Sequence, residues 1–308
     1  MNRKALLVLT AFSIVVLTAL SFIVLKMTPE IKGKPHRLDR SALLYERGKE
    51  FLKHKEDEKA ANAFLIAVTQ YPDSEFAAKA LRELASMYLK KDNYVQAAYY
   101  YKRLLKSFPG IKDASKIKST VEELNMRILF SPVITEDSAE YEVQAGDSLF
   151  MIAKMFNTTV PLIKKINNLR TDMIRPGQKL KINVSRFSIL VDKSDNILLL
   201  KKDGDPFKTY TVSTGKDNST PVGTFKIEEK MVKPVWYKVG AVVSPDSKEY
   251  ELGERWMGLS VQGYGIHGTS DERTIGKQIT QGCIRMFNGD VIELYDIVPS
   301  GAEVEIVD

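Results

Sequence analysis

The chain has 308 residues, 44% hydrophobic and 27% charged, which excludes a disordered or collagen-like polymer and accommodates two or three small domains. One cysteine and three histidines (His36, His54, His267) exclude a disulfide framework and a Cys/His zinc cluster with its usual ligand count, so neither a metal nor a cofactor is expected. The formal charge of +6 is uneven: residues 186–308 carry 15 Lys and Arg against 19 Asp and Glu, and this slightly acidic balance argues against nucleic acid as the substrate of the C-terminal part.

Residues 5–25 form an uninterrupted apolar run without charge or proline, long enough at 1.5 Å per residue to cross roughly 30 Å of hydrocarbon. A cleaved signal peptide is the rival reading. Its apolar core should be shorter and end in a small-residue cleavage site, whereas Ala19-Leu20-Ser21 lies inside the run. A single-pass anchor over residues 1–27 is therefore expected. Arg3 and Lys4 precede it, but Lys26, Lys32, Lys34, Arg37 and Arg40 follow it, so a strict positive-inside count places the body in the cytoplasm.

Residues 41–129 carry long helical patterns broken at Tyr71-Pro72-Asp73-Ser74 and Phe108-Pro109-Gly110, since proline cannot continue the helical ladder. The breaks are 37 residues apart. Superposing them aligns Gly48, Ala60, Phe64 and Pro72 with Ala85, Ala97, Tyr101 and Pro109: small residues where paired helices touch, with an aromatic between them. The pattern resembles the tetratricopeptide repeat, with about three residues more than its usual period of about 34 placed in a turn. Two repeats and a following helix predict a short superhelical stack that either docks a protein partner or spaces the later domains from the membrane. Tyr99, Tyr100 and Tyr101 are expected to serve repeat packing.

A polar linker (130–140) leads to Tyr141-Glu-Val-Gln-Ala-Gly-Asp-Ser-Leu149, which predicts a strand and a turn. Two short helices follow near 150–156 and 160–167, and Ile174-Arg-Pro-Gly-Gln-Lys-Leu-Lys-Ile182 closes with a turn and a second strand. This βααβ unit at 141–185 resembles a LysM domain. The resemblance implies binding of N-acetylglucosamine-containing glycan in a groove between two loops, here with Gly146, Asp147, Ser148 and Leu149 on one side and Asn168, Met173, Ile174 and Pro176 on the other. Asp147 and Ser148 also read as helix caps.

Residues 186–308 read as mainly β, with strands near 187–191, 197–201, 207–213, 223–228 and 303–307 and one helix at 288–296. Within them Gly265-Ile-His267-Gly-Thr269 lies 16 positions before Cys283 in Gly282-Cys-Ile-Arg285. A nucleophilic thiol needs a base to become thiolate, and only His267 is available in this segment. His36 sits beside the apolar run and His54 in a charged, solvated stretch. By their pairing alone, Cys283 and His267 read better as a buried thiol and a hydrogen-bonded strand histidine than as a catalytic pair, and it is the flanking residues that reverse this.

Ser213-Thr-Gly215, Thr220-Pro-Val-Gly-Thr-Phe225, Arg255-Trp-Met-Gly-Leu259, Tyr264-Gly-Ile-His-Gly-Thr269 and Gly282-Cys-Ile-Arg-Met286 occur in the order and spacing of the L,D-transpeptidase catalytic domain, which this segment resembles. One departure is Gln281, where many members carry histidine. The resemblance implies a Cys283 thioester with the third residue of a peptidoglycan tetrapeptide stem, release of D-alanine and transfer to an amine, as in a 3→3 crosslink. His267 would act as base, oriented by the Gly268 carbonyl. Backbone N–H groups around Gly282 and Cys283 would receive the oxyanion, and Arg285 would hold a substrate carboxylate or form a structural ion pair. Tyr264, Trp256 and Met257 would form groove wall or core. Water as acceptor, making an L,D-carboxypeptidase, and a non-catalytic wall-binding scaffold are the alternatives. A wall substrate, in turn, sets the expected location: the inner membrane of a bacterium with the catalytic part in the periplasm or wall space, against the charge count at the N-terminus.

Overall fold

The computed structural model describes residues 39–238 and 241–308, so the anchor expected at 1–27 lies outside it. Among the described residues no helix is long and apolar enough to cross a membrane.

Five helices come first: α1 (Arg40–Lys53), α2 (Asp57–Gln70), α3 (Glu75–Lys90), α4 (Tyr94–Ser107) and α5 (Ala114–Leu129). Side-chain oxygens of Asp39, Ser74 and Asn93 accept the N–H groups of Ser41, Ala77 and Gln96 at 2.9, 3.0 and 3.1 Å, supplying partners that the first turn of a helix lacks. The superposed small residues lie where the helices meet. Ala60, Ala85 and Ala97 are fully buried, and a Cβ on Gly48 would stand 2.4 Å from the Phe64 ring. Tyr100 is buried against Tyr88 at 5.5 Å between ring centroids, whereas Tyr99 is exposed. The surplus over a standard repeat does not all sit in a turn, because α3 has 16 residues against 14 in α1.

The next unit pairs β1 (Ser138–Glu142) antiparallel with β2 (Lys179–Asn183) around α6 (Leu149–Met155) and α7 (Val160–Ile166). Its core is Val143, Leu149, Ile152, Ile163, Leu180 and Ile182.

The remaining strands are β3 (Phe187–Asp192), β4 (Ile197–Lys202), β5 (Asp205–Gly215), β6 (Gly223–Val232), β7 (Trp236–Lys238), β8 (Ala241–Val243), β9 (Arg255–Leu259), β10 (Gly265–His267), β11 (Gln278–Thr280), β12 (Ile284–Met286) and β13 (Glu303–Val307), with α8 (Asn288–Ile297) before the last. One sheet runs β5-β12-β10-β9-β6-β13-β3-β4 and returns to β5, closing a barrel; β11 adds to β5 outside the ring, and β7 with β8 forms a separate hairpin. Closure leaves few open edges to template aggregation. β3 alternates buried and half-buried residues, and Ile189, Val191, Leu198, Leu200, Val212, Ile227, Met257, Ile266 and Ile284 pack in one core cluster with Leu294 and Ile297 of α8.

Both preceding units grip this barrel. Met126 and Leu129 of α5 join the barrel core, and Asn125 Nδ2 donates to the Phe207 carbonyl at 2.8 Å. From α7, Leu162 and Ile166 are fully buried in the same core. At about 1.5–3 kcal/mol for each buried aliphatic side chain, that contact is a firm one. Thr159 caps α7 by accepting from Leu162 N–H and donates its hydroxyl to the Asp296 carbonyl of α8, while Lys165 pairs with the Asp296 carboxylate at 2.7 Å.

Candidate active site

β10 and β12 are parallel neighbours with Ile266 opposite Ile284 and His267 opposite Arg285. Successive strand residues point to opposite faces. Because Ile266 and Ile284 fill the barrel core, His267 and Arg285 face outward, and Cys283, two positions before Arg285, opens onto the same side. Sixteen residues of separation thus become diagonal positions on one face, His267 on β10 and Cys283 just ahead of β12.

His267 is 3% exposed. Its Nδ1 lies 2.7 Å from the Gly268 carbonyl, which makes Nδ1 the protonated nitrogen and leaves Nε2 as the base. Trp256, opposite His267 on β9, stacks on the imidazole at 5.8 Å between centroids and 24° between planes. Burial, reinforced by the Arg285 charge, pushes the His267 pKa from 6.5 down to about 4, against the pull of the Gly268 and Leu252 carbonyls. Burial also raises the Cys283 thiol above its ordinary value, opposed by the Gly265 N–H and Arg285. The resting pair is therefore neutral thiol and neutral imidazole. The thiol donates to the Gly263 carbonyl at 3.6 Å.

Gly282 adopts φ +130°, a region closed to side-chain-bearing residues, and a Cβ there would lie 2.6 Å from the Tyr264 ring. Its N–H donates to Thr280 Oγ1 at 3.2 Å. Arg285 pairs with Glu251 at 2.9 Å and donates to Thr274 Oγ1 at 3.3 Å, so the ion-pair reading of this residue is realised; its buried Nε has no hydrogen-bond partner. Tyr264 is half-buried, as is Trp256. Met257 is fully buried in the barrel core and forms no groove wall, because its neighbours on β9 alternate outward. Gln281 is exposed.

In the smaller unit, Ser148 caps α6 by accepting from Met151 N–H at 3.2 Å, and Asp147 accepts from Tyr141 Oη and Gln144 N–H, both at 2.8 Å. Leu149 is core. Ile174 and Pro176 line a cavity of about 780 Å³ with Thr171, Met173, Arg175 and Gln178; Gly146 to Leu149 lie outside that lining. Exposed Phe150 and Met173 add apolar surface to this unit.

Residue-by-residue reading missed Asn288, which binds the loop after His267: Oδ1 accepts from Glu254 and Thr269 N–H at 3.1 and 3.2 Å, and Nδ2 donates to the Thr269 carbonyl at 2.7 Å. A Cβ on Gly268 would strike Asn288 Oδ1 at 2.2 Å, so glycine after the histidine is a packing requirement as well. It also missed Thr220 and Thr280, whose hydroxyls bond the Gly282 carbonyl and N–H, and the buried Lys193, whose Nζ donates to the Thr220 carbonyl at 3.0 Å. Only Thr220 and Thr280 stood in or beside a quoted motif, and nothing local to Lys193 distinguishes it from a surface lysine.

Residues 186–306 match the L,D-transpeptidase catalytic domain, 141–183 the LysM domain and 38–118 an outer membrane lipoprotein family of helical repeats. YkuD of Bacillus licheniformis, named as an L,D-transpeptidase, is 35% identical over 174 residues, 54% of this chain and 97% of that protein. The chain belongs to the L,D-transpeptidase family. YqjB of Bacillus subtilis, another family member by name, is 37% identical over 39% of this chain and 70% of its own length. A solved L,D-transpeptidase from Mycobacterium smegmatis aligns with 43% of the chain and 64% of its own at 21% identity and a TM-score of 0.35. Within the family frame, His267 and Cys283 stand on the barrel's outer face beside Trp256 and Arg285, with helical repeats and the LysM domain preceding them.

Proposed function

We propose that this family member is a peptidoglycan L,D-transpeptidase, carried by one observation: His267, its Nδ1 bound to the Gly268 carbonyl, faces outward beside the strand that Cys283 immediately precedes. As Cys283 Sγ attacks the carbonyl of the third stem residue, its proton passes to His267 Nε2. The Sγ–C bond forms and the carbonyl becomes an oxyanion. We assign the oxyanion to the Cys283 N–H, since the Gly282 N–H already serves Thr280. Collapse breaks the amide bond, and the imidazolium returns the proton to the departing D-alanine amine. An acceptor amine then attacks the thioester and loses a proton to His267; the C–S bond breaks, and the imidazolium returns that proton to Sγ, restoring the thiol. Transfer to a neighbouring stem gives a 3→3 crosslink; transfer to water gives the L,D-carboxypeptidase outcome.

The LysM domain is proposed to hold wall glycan near Ile174 and Pro176, and the N-terminal run to anchor the chain in the inner membrane with its body outside. A cysteine introduced at exposed Glu136 should then react with an inner-membrane-impermeant maleimide in intact cells; shielding until lysis would put the body in the cytoplasm. For the reaction itself, full-length protein is incubated with sacculi rich in tetrapeptide stems and the muropeptides are weighed. Crosslinked dimers with released D-alanine support transpeptidation. Tripeptides without dimers support the carboxypeptidase, and unchanged stems leave the wall-binding scaffold.

A further inference from the structure

We infer that Lys193 is a positioning residue for the nucleophile, acting through Thr220 and the Gly282 carbonyl. This rests on the reading of Cys283 as nucleophile. Lys193 is 3% exposed, a costly place for an ammonium unless every proton has a partner. Each does: Nζ donates to Asn218 Oδ1 at 2.5 Å, to the Thr220 carbonyl at 3.0 Å and to Asp308 Oδ1 at 2.8 Å. Two of these partners lie on the 216–220 strap, where Asp217 and Asn218 both take left-handed backbone angles, φ 52° and 59°. Such a turn persists only when its surroundings hold it.

The strap reaches the site through one hydroxyl. Thr220 Oγ1 accepts from Gly215 N–H at 2.7 Å and donates to the Gly282 carbonyl at 2.8 Å. That carbonyl and the Cys283 N–H belong to one planar trans peptide, so fixing the oxygen fixes the opposite direction of the N–H. Thr280 braces the other side, its Oγ1 accepting from Gly282 N–H and donating to the Cys283 carbonyl at 2.6 Å. Its strand is tied back to the same lysine, because Gln278 Nε2 donates to the Lys193 carbonyl at 3.0 Å. Lys193 thus connects both braces that aim the proposed oxyanion donor.

The test compares full-length wild type with Lys193→Met, Thr220→Val and Thr220→Ser in two reactions of Cys283, followed by intact mass. Acylation by a carbapenem passes through an oxyanion; alkylation by iodoacetamide does not. Acylation should fall about tenfold to a hundredfold in Lys193→Met and Thr220→Val while alkylation stays within about threefold, and Thr220→Ser should recover most of the loss. Thermal midpoints accompany each measurement, and Thr220→Val carries the test if Lys193→Met does not fold. Folded variants acylated at the wild-type rate overturn the inference, as does a parallel fall of both reactions that follows the thermal midpoint. A wild-type chain that is alkylated but never acylated overturns the enzyme reading itself, and the inference with it.

Discussion

Cys283→Ala is expected to abolish thioester formation and crosslinking, by roughly 10⁴-fold or more, the scale on which loss of a covalent nucleophile acts. Sacculus binding should survive, because the proposed glycan contacts lie in residues 141–183 and form a separate core. The fold should survive as well: Cys283 lies outside the barrel cluster, so shortening it opens no cavity there. A carbapenem should add one covalent mass to the wild type and none to the variant, and Cys283 is the sole cysteine of the chain. Turnover retained by Cys283→Ala, or the same mass added to it, would remove the nucleophile assignment.

His267→Ala is expected to lower acylation at neutral pH by about 10²–10⁴-fold, the usual contribution of a positioned base, and to change the shape of the pH profile. In the wild type the imidazole is neutral above about pH 4, so the base is present throughout the neutral range and is lost only as pH falls through that value. Without it the reaction depends on thiolate, which burial makes scarce. The variant's rate should therefore climb about tenfold per pH unit through the neutral range and beyond. An iodoacetamide profile of Cys283 unchanged by the substitution would refute the base role. The depressed pKa also bears on stability. Below pH 6.5 the unfolded chain binds a proton at this position that the folded chain refuses, so wild-type stability is undiminished above pH 6.5 and declines as pH drops to about 4. The decline is on the order of 3 kcal/mol. Urea midpoints at pH 7 and pH 4 should show it in the wild type, with a smaller drop in His267→Ala; equal drops would place the cost elsewhere.

Much of the fold follows from local rules that act within one element. Helices α1 to α5 end where prolines and turn residues stop them, and their small residues pack where the 37-residue superposition predicts. The strands that alternate over five or more residues, such as β3 and β4, are legible for the same reason. The three-residue strands β7, β8, β10, β11 and β12 are not, because so short a run has no periodicity and exists only through its neighbours. Their register nevertheless makes the site.

The sequence by itself determined the chemical inventory: one thiol, one histidine in the same segment, and glycine beside each. The tertiary structure decided how that inventory is used. It buried His267 beneath Trp256, turned the Gly268 carbonyl onto Nδ1, and ran β10 parallel to β12 so that residues 16 apart face the same side. It also recruited residues with no local mark of function. Lys193 lies 90 positions before Cys283, and Asn288 reads as the start of a helix, yet Lys193 holds the strap whose Thr220 donates to the Gly282 carbonyl, and Asn288 binds the loop after His267. Met257 shows the converse, a motif residue that faces the core. Composition and spacing act along the chain, whereas burial, register and hydrogen-bond partnership arise between segments that meet only when the barrel closes.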